Sequence, residues 1–135
     1  MVEPTLEHDA SIIWMHGLGA SANDFADMPS LISRPGTRWI FPNAPMRPVT
    51  LNNGWRMPSW FDIRFLGGAA GVDGRECPVE AQESAELIAS LMEEEHGRGI
   101  PYNRMVLVGF SQGGAMSLYT GCRFSERIAG MVCMS

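Results

Sequence analysis

The chain of 135 residues contains no lysine: its ten Lys+Arg positions are all arginine, set against 15 acids for a net charge of −5. That absence excludes Schiff-base and lysine-nucleophile chemistry. The arginines scatter from Arg34 to Arg127 without forming a basic stripe, so nucleic acid is not expected as a partner. Cysteine is nearly as scarce. Cys77, Cys122 and Cys133 are an odd number, too widely spaced for a C-x-x-C pair or a dense disulfide framework. Cys122 and Cys133 sit in apolar stretches, where a free thiol usually acts as a small buried hydrophobe. The three histidines, His8, His16 and His96, share no metal-ligand spacing, so no metal is expected. No apolar run approaches the ~18 residues of a membrane span. The opening Met1-Val2-Glu3-Pro4-Thr5-Leu6-Glu7 is acidic and lacks the layout of a secretory signal. A cytoplasmic location is therefore expected.

What is present fits one globular domain over residues 1–135, with 45% hydrophobic content to build a core. Ser11-Ile12-Ile13-Trp14-Met15 reads as a strand buried on both faces and ends in His16-Gly17-Leu18-Gly19, a glycine-bearing turn. Ala20 to Ile32 reads as weakly helical, closed by Pro35-Gly36, and Trp39-Ile40-Phe41 as a second strand stopped by Pro42. Between Val49-Thr50-Leu51 and Trp55-Arg56-Met57, the pair Asn53-Gly54 predicts a two-residue hairpin turn that demands positive φ at both positions. Gly67, Gly68, Gly71 and Gly74 predict a loop. Pro78 opens a predicted helix to about His96, with Ala81, Ala85, Ile88 and Met92 on one stripe. Within it Glu93-Glu94-Glu95 reads as a solvated face. A strand at Met105–Val108, a helix from Gln112 to about Arg123 and a strand from Ile128 to Met134 follow. Strands alternating with helices imply βαβ units and a mostly parallel sheet flanked by helices, the α/β class.

The most telling segment is Gly109-Phe110-Ser111-Gln112-Gly113-Gly114, directly after the apolar Met105–Val108 run. G-x-S-x-G between a strand and a helix is the pattern of a nucleophile elbow, which holds a serine on a sharp turn above the sheet. A serine hydroxyl needs a base to take its proton, and attack on an acyl carbon builds an oxyanion that needs donors. The expected donors are the backbone N–H groups of Gln112, at the start of the following helix, and Leu18, in the turn after His16-Gly17. His16, in that turn, is expected to hold the loop by hydrogen bonding rather than act as the base. His8 and His96 read as solvated. Asp62 could anchor its loop but is not expected to take part in a catalytic triad.

Three segments together resemble the carboxylesterase and acyl-protein thioesterase family of α/β hydrolases, also called the phospholipase/carboxylesterase family. They are Trp14-Met15-His16-Gly17-Leu18-Gly19-Ala20, then Phe41-Pro42-Asn43-Ala44-Pro45-Met46-Arg47-Pro48-Val49-Thr50 continuing through Asn52-Asn53-Gly54 to Met57-Pro58-Ser59-Trp60-Phe61-Asp62-Ile63, and finally Gly109 to Met116. The likeness runs from about Ser11 to Ser135 and is greatest to the bacterial carboxylesterase branch. It implies an α/β-hydrolase fold and hydrolysis of ester or acyl-thioester bonds through an acyl-serine, with no metal and no cofactor. By position Ser111 matches the nucleophile, Leu18 and Gln112 the oxyanion donors, and the Met57–Phe61 loop, with Met57, Trp60 and Phe61, part of an acyl-pocket rim. Members are often homodimers. In the family an aspartate and then a histidine follow the serine, whereas the residues after Ser111 include neither. The resemblance thus implies the N-terminal part of a longer enzyme, C-terminally incomplete and inactive alone. Two other readings stay open: another α/β hydrolase, such as a dienelactone hydrolase or a peptidase, and a non-catalytic acyl-binding domain.

Overall fold

The computed structural model describes residues 1–5, 7–32, 34–62 and 78–135. Its centre is a four-stranded, wholly parallel sheet in the order β2-β1-β5-β6, with β1 Ala10–Met15, β2 Thr37–Ile40, β5 Met105–Phe110 and β6 Gly130–Met134. Beside it stands a two-stranded antiparallel hairpin of β3 Met46–Val49 and β4 Trp55–Pro58. Helix α1 is the short Met28–Leu31, α2 spans Pro78–Gly97 and α3 spans Gln112–Arg123. The chain moves outward from β1 to β2, then returns across β1 to lay down β5. The direction of winding therefore reverses between β1 and β5. In parallel sheets that reversal opens a crevice at the carboxyl ends of the two strands, where ligands bind.

Alternation along β1 divides its side chains between two cores. Ile13 and Met15 join Met105 and Leu107 against Ile88 and Met92 of α2 and Met116 of α3. Trp14 turns to the opposite face with Trp39, Phe41 and Val108, covered by Phe25, Met28 and Val2. Apolar burial on both faces explains why β1 carries no polar alternation.

Several expectations need correction. The weak helix expected from Ala20 to Ile32 is two short pieces, a 3₁₀ turn at Ala22–Phe25 and α1. Pro29 sits in the first turn of α1, where a missing N–H is tolerated, but it cannot propagate a helix through Asp27. The hairpin forms, yet its turn is longer than two residues: Val49 pairs with Trp55 across a 3₁₀ turn at Thr50–Asn52. Asn53 and Gly54 do take positive φ, at 57° and 78°. Cys122 and Cys133 are free and exposed rather than buried. The glycine loop expected at Gly67–Gly74 and Cys77 lie outside the described residues.

Glu95 departs furthest from its reading. The Glu93-Glu94-Glu95 run does not form one solvated face, because Glu95 is only 1% exposed. Helix α2 ends over the amino-terminal end of the sheet, which brings the carboxylate against buried Arg38 of β2. Arg98 Nε approaches Glu95 Oε2 at 3.3 Å, and the buried Ser11 hydroxyl donates to Oε1 at 2.7 Å. His8 Nε2 completes the cluster, 3.0 Å from Ser11 Oγ. A buried carboxylate with these partners is tolerated, whereas losing it leaves the buried Arg38 guanidinium to the exposed Glu3 carboxylate, 3.1 Å from its Nε, and a hole where Glu95 stood. Glu95→Ala is therefore expected to cost about 3–5 kcal/mol of stability in urea denaturation. Exposed Glu93→Ala, two residues away, is expected to leave the unfolding midpoint nearly unchanged.

Candidate active site

Strand register builds the site. Met15 lies opposite Gly109, so the segments that leave β1 and β5 emerge side by side at their carboxyl ends. One carries His16-Gly17-Leu18 and the other Phe110-Ser111-Gln112. Ser111 adopts φ 57° and ψ −114°, a conformation that L-residues rarely occupy. Such strain persists only where the surroundings over-determine it. Here the restraints are visible. The Ser111 N–H donates to the Met134 carbonyl of β6 at 2.7 Å, and its own carbonyl accepts from Ala115 N–H of α3 at 3.1 Å.

The two flanking glycines are forced by contact. A Cβ on Gly109 would stand 2.0 Å from the Gly113 carbonyl oxygen, and one on Gly113 would stand 2.2 Å from that of Met15 and 2.5 Å from that of His16. Helix α3 therefore begins pressed against both strands, its free first-turn N–H groups close to the serine. Among the described residues, the N–H groups of Leu18 and Gln112 meet no intramolecular acceptor. Their neighbours do: Gly19 N–H donates to Pro58 O at 2.9 Å and Ala20 N–H to Gly17 O at 3.2 Å.

A polar network holds the two segments at fixed spacing. Ala44 N–H donates to His16 Nε2 at 3.0 Å, so the ring proton sits on Nδ1 and is donated to the Gly17 carbonyl at 2.7 Å. Both ring nitrogens of His16 are thereby engaged, and its carbonyl accepts the Trp60 indole N–H at 2.9 Å. The backbone N–H of Trp60 donates to Gln112 Oε1 at 2.9 Å, while Gln112 Nε2 donates to Phe61 O at 2.6 Å. Ser84 of α2 closes the bracket, its hydroxyl donating to Trp60 O at 2.5 Å. Asp62 anchors the hairpin by accepting from Thr50 N–H at 2.7 Å and the Thr50 hydroxyl at 2.5 Å.

The sequence-predicted residues divide accordingly. Ser111, Leu18 and Gln112 come together at the crevice. Trp60 does not reach the surface: it is 1% exposed and serves as the tie between the His16 and Gln112 segments, not as a pocket rim. Phe61 packs against the same core. Met57 stays at the periphery, its sulfur near Gly19. A cavity of about 500 Å³ opens at Ser111 and is lined by Gly17, Leu18, Ala20, Asp24, Phe25 and Phe110. Asp24, Phe25 and Phe110 were not singled out from sequence. Phe110 could have been, since it occupies the variable position before the elbow serine and must flank it; Phe25 was masked by its helix-like spacing.

The remaining histidines lie elsewhere. His8 sits at the amino-terminal end of the sheet, and His96 Nδ1 lies 3.0 Å from Ile100 O with its ring stacked on Tyr102 at 4.1 Å. Among the described residues no three His, Cys, Asp or Glu side chains converge to hold a metal ion. No described helix is long and apolar enough to cross a membrane.

A parallel sheet with a serine at a strained strand-to-helix turn above its carboxyl edge is the arrangement of an α/β hydrolase. The chain belongs to the phospholipase/carboxylesterase family, whose model it matches over residues 1–135. Acyl-protein thioesterase 1 of Cryptococcus neoformans is 40% identical over 138 residues, taking in 99% of this chain and 57% of that protein. Acyl-protein thioesterase 1 of Schizosaccharomyces pombe is 38% identical over 133 residues, or 98% of this chain and 58% of that protein. Among solved structures, SOBER1 of Arabidopsis thaliana superposes with a TM-score of 0.82 at 27% identity, covering 91% of this chain and 59% of its own. Acyl-protein thioesterase 2 of Zea mays gives a TM-score of 0.74 at 33% identity, covering 89% of this chain and 48% of its own. The chain thus spans less than three fifths of the length of these relatives.

Because the obstruction at Gly113 is backbone, a methyl there can be accommodated only by moving α3 off the sheet. Gly113→Ala is expected to lose at least about 3 kcal/mol, at the upper end of overpacking costs. Gly97→Ala, with open space around it, is the matched control and is expected to be neutral or slightly stabilising in the same thermal melts.

Proposed function

We propose that this domain carries the acylation half of an esterase or thioesterase site, with Ser111 as the nucleophile. The observation that carries the reading is the strained backbone of Ser111, held between β5, β6 and α3 beside two N–H groups that meet no acceptor among the described residues. In this reading the Ser111 hydroxyl attacks the acyl carbon of a small ester or acyl-thioester. Negative charge then gathers on the former carbonyl oxygen, which Leu18 N–H and Gln112 N–H receive. Losing one such donor typically costs ~3–4 kcal/mol of transition-state stabilisation. Collapse of that intermediate expels the alcohol or thiol and leaves an acyl-serine for water to hydrolyse.

The proton acceptor is a separate matter. His16 has both ring nitrogens engaged, and His8 and His96 lie away from the carboxyl ends of the strands. We therefore assign the base, and the carboxylate that orients it, to residues other than these, and expect the 135-residue chain to lack turnover on its own. Removing the base from a well-studied serine protease costs ~10⁶ in turnover. Strand β6 also supports self-association of the isolated chain. Among the described residues it pairs with β5 alone, and Val132 on it is 45% exposed, so it offers an apolar template for further pairing.

The test has two arms. A fluorophosphonate probe applied to the catalytically complete enzyme is expected to label the Ser111 peptide in mass spectrometry and to label nothing in Ser111→Ala. The 135-residue chain alone is expected to hydrolyse p-nitrophenyl butyrate no faster than its Ser111→Ala variant. A label at another residue would sink the nucleophile assignment, and ordinary turnover by the isolated chain would sink the assignment of the base.

A further inference from the structure

The turn between β3 and β4 holds a reactive pair of residues in an unreactive shape. Asn53 is one of five asparagines in the chain and the only one followed by glycine. With no side chain on the next residue, the Gly54 nitrogen is an unhindered nucleophile toward the Asn53 side-chain amide. Residues 52–56 are exposed, and nothing stands within 4 Å of where a Gly54 Cβ would lie, so solvent reaches the pair freely. The restraint is conformational. Asn53 N–H donates to the Thr50 carbonyl at 3.1 Å, and Gly54 N–H donates to the Val49 carbonyl at 2.9 Å. These are the two bonds of a Schellman motif, which calls for a left-handed residue at Asn53, found here at φ 57° and ψ 30°. Both acceptors are themselves fixed. Val49 is fully buried and pairs with Trp55, and Asp62 accepts from the N–H and the hydroxyl of Thr50.

Chemistry and geometry oppose each other at this turn. In deamidation the Gly54 nitrogen attacks Asn53 Cγ: the N–Cγ bond forms, the Cγ–Nδ2 bond breaks, and ammonia leaves with the former Gly54 amide proton. Water then opens the resulting succinimide at either carbonyl, leaving aspartate or isoaspartate at position 53. Closing that ring requires the Gly54 nitrogen and Asn53 Cβ to be nearly eclipsed about the Cα–C bond. At ψ 30° an L-residue holds them nearly opposite, and the proton on the attacking nitrogen is committed to Val49 O. We propose that Asn53 is a self-modifying site kept latched by the hairpin: the native turn blocks succinimide closure, and opening of the Gly54–Val49 bond releases it. Isoaspartate then routes the backbone through Cβ and Cγ, and a turn one atom longer cannot re-form both Schellman bonds. Strand β4 ends at Pro58, whose carbonyl accepts the Gly19 N–H beside Leu18 at 2.9 Å, so loss of the turn bears on a segment that flanks Ser111. The site itself requires no role for Ser111.

Peptide mass spectrometry on the 135-residue chain tests the latch. Peptic digestion in acid halts the reaction, and the readout is local enough to tolerate a self-associating chain. Conversion at Asn53 in mildly alkaline buffer is followed in the folded chain, in the same chain unfolded by guanidinium, and in folded Thr50→Val, which loses the hydroxyl bond to Asp62. The unfolded chain is expected to convert at least about tenfold faster than the folded one and to yield isoaspartate beside aspartate. Thr50→Val is expected to convert about two- to fivefold faster than the parent when folded and at the same rate when unfolded. Should that variant fail to fold, the parent suffices: guanidinium below the unfolding transition is expected to speed conversion and hydrogen exchange of the Gly54 N–H by the same factor. Equal conversion in folded and unfolded chains, an unchanged rate in folded Thr50→Val, or exchange that quickens without conversion would each overturn the latch. Conversion without isoaspartate would overturn attack by the Gly54 nitrogen. None of these outcomes bears on fluorophosphonate labelling of Ser111, so the two readings fail separately.

Discussion

Helix α3 starts in contact with two strand ends, and the site depends on that closeness. The Gly113 backbone lies where a single methyl would fall within 2.2 Å of the Met15 carbonyl oxygen. From that contact follow the sharpness of the turn at Ser111, the direction of the α3 amino terminus and the proximity of the Leu18 and Gln112 amides. Glycine is required at 109 and 113 because of what stands beside them; neither has a positive φ. The strained residue is the serine between them, held there by bonds to β6 and α3.

A second layer keeps that geometry from relaxing. Trp60 touches both halves of the crevice, through its indole to His16 and its backbone to Gln112, and α2 fastens it from below through Ser84. His16, which sequence alone could have offered as a base, is spent on fixing the turn. The buried Arg38–Glu95 pair plays no part in this layer. It lies at the opposite end of the sheet, so its cost and benefit bear on stability, and the ends of the strands separate the two concerns.

Legibility in the sequence followed the range of the forces involved. β1, β5, α2 and α3 were readable because apolar periodicity and flanking glycine or proline are local signals. The Ala22–Leu31 stretch misled because Phe25, Met28 and Leu31 mimic a helical stripe while Pro29 and tertiary packing break it. Glu95 misled because its neighbours Glu93 and Glu94 are solvated and its buried partner, Arg38, is remote in sequence. The resemblance of the Met57–Phe61 loop to the family's puts Trp60 at a rim, and nothing local to that loop signals its burial. Only the three-dimensional path of the chain shows it capped on every side.

By itself the sequence determined the turn that carries Ser111: G-x-S-x-G between a strand and a small-residue helix leaves few stable arrangements, and the glycine spacing encodes the turn directly. The tertiary structure decided which atoms surround that serine. Parallel pairing of Met15 with Gly109 brings two segments nearly a hundred residues apart in sequence to one crevice, and it sets Asp24, Phe25 and Phe110 around one cavity. Such assignments rest on strand register and winding order, which arise from non-local burial that no short motif records.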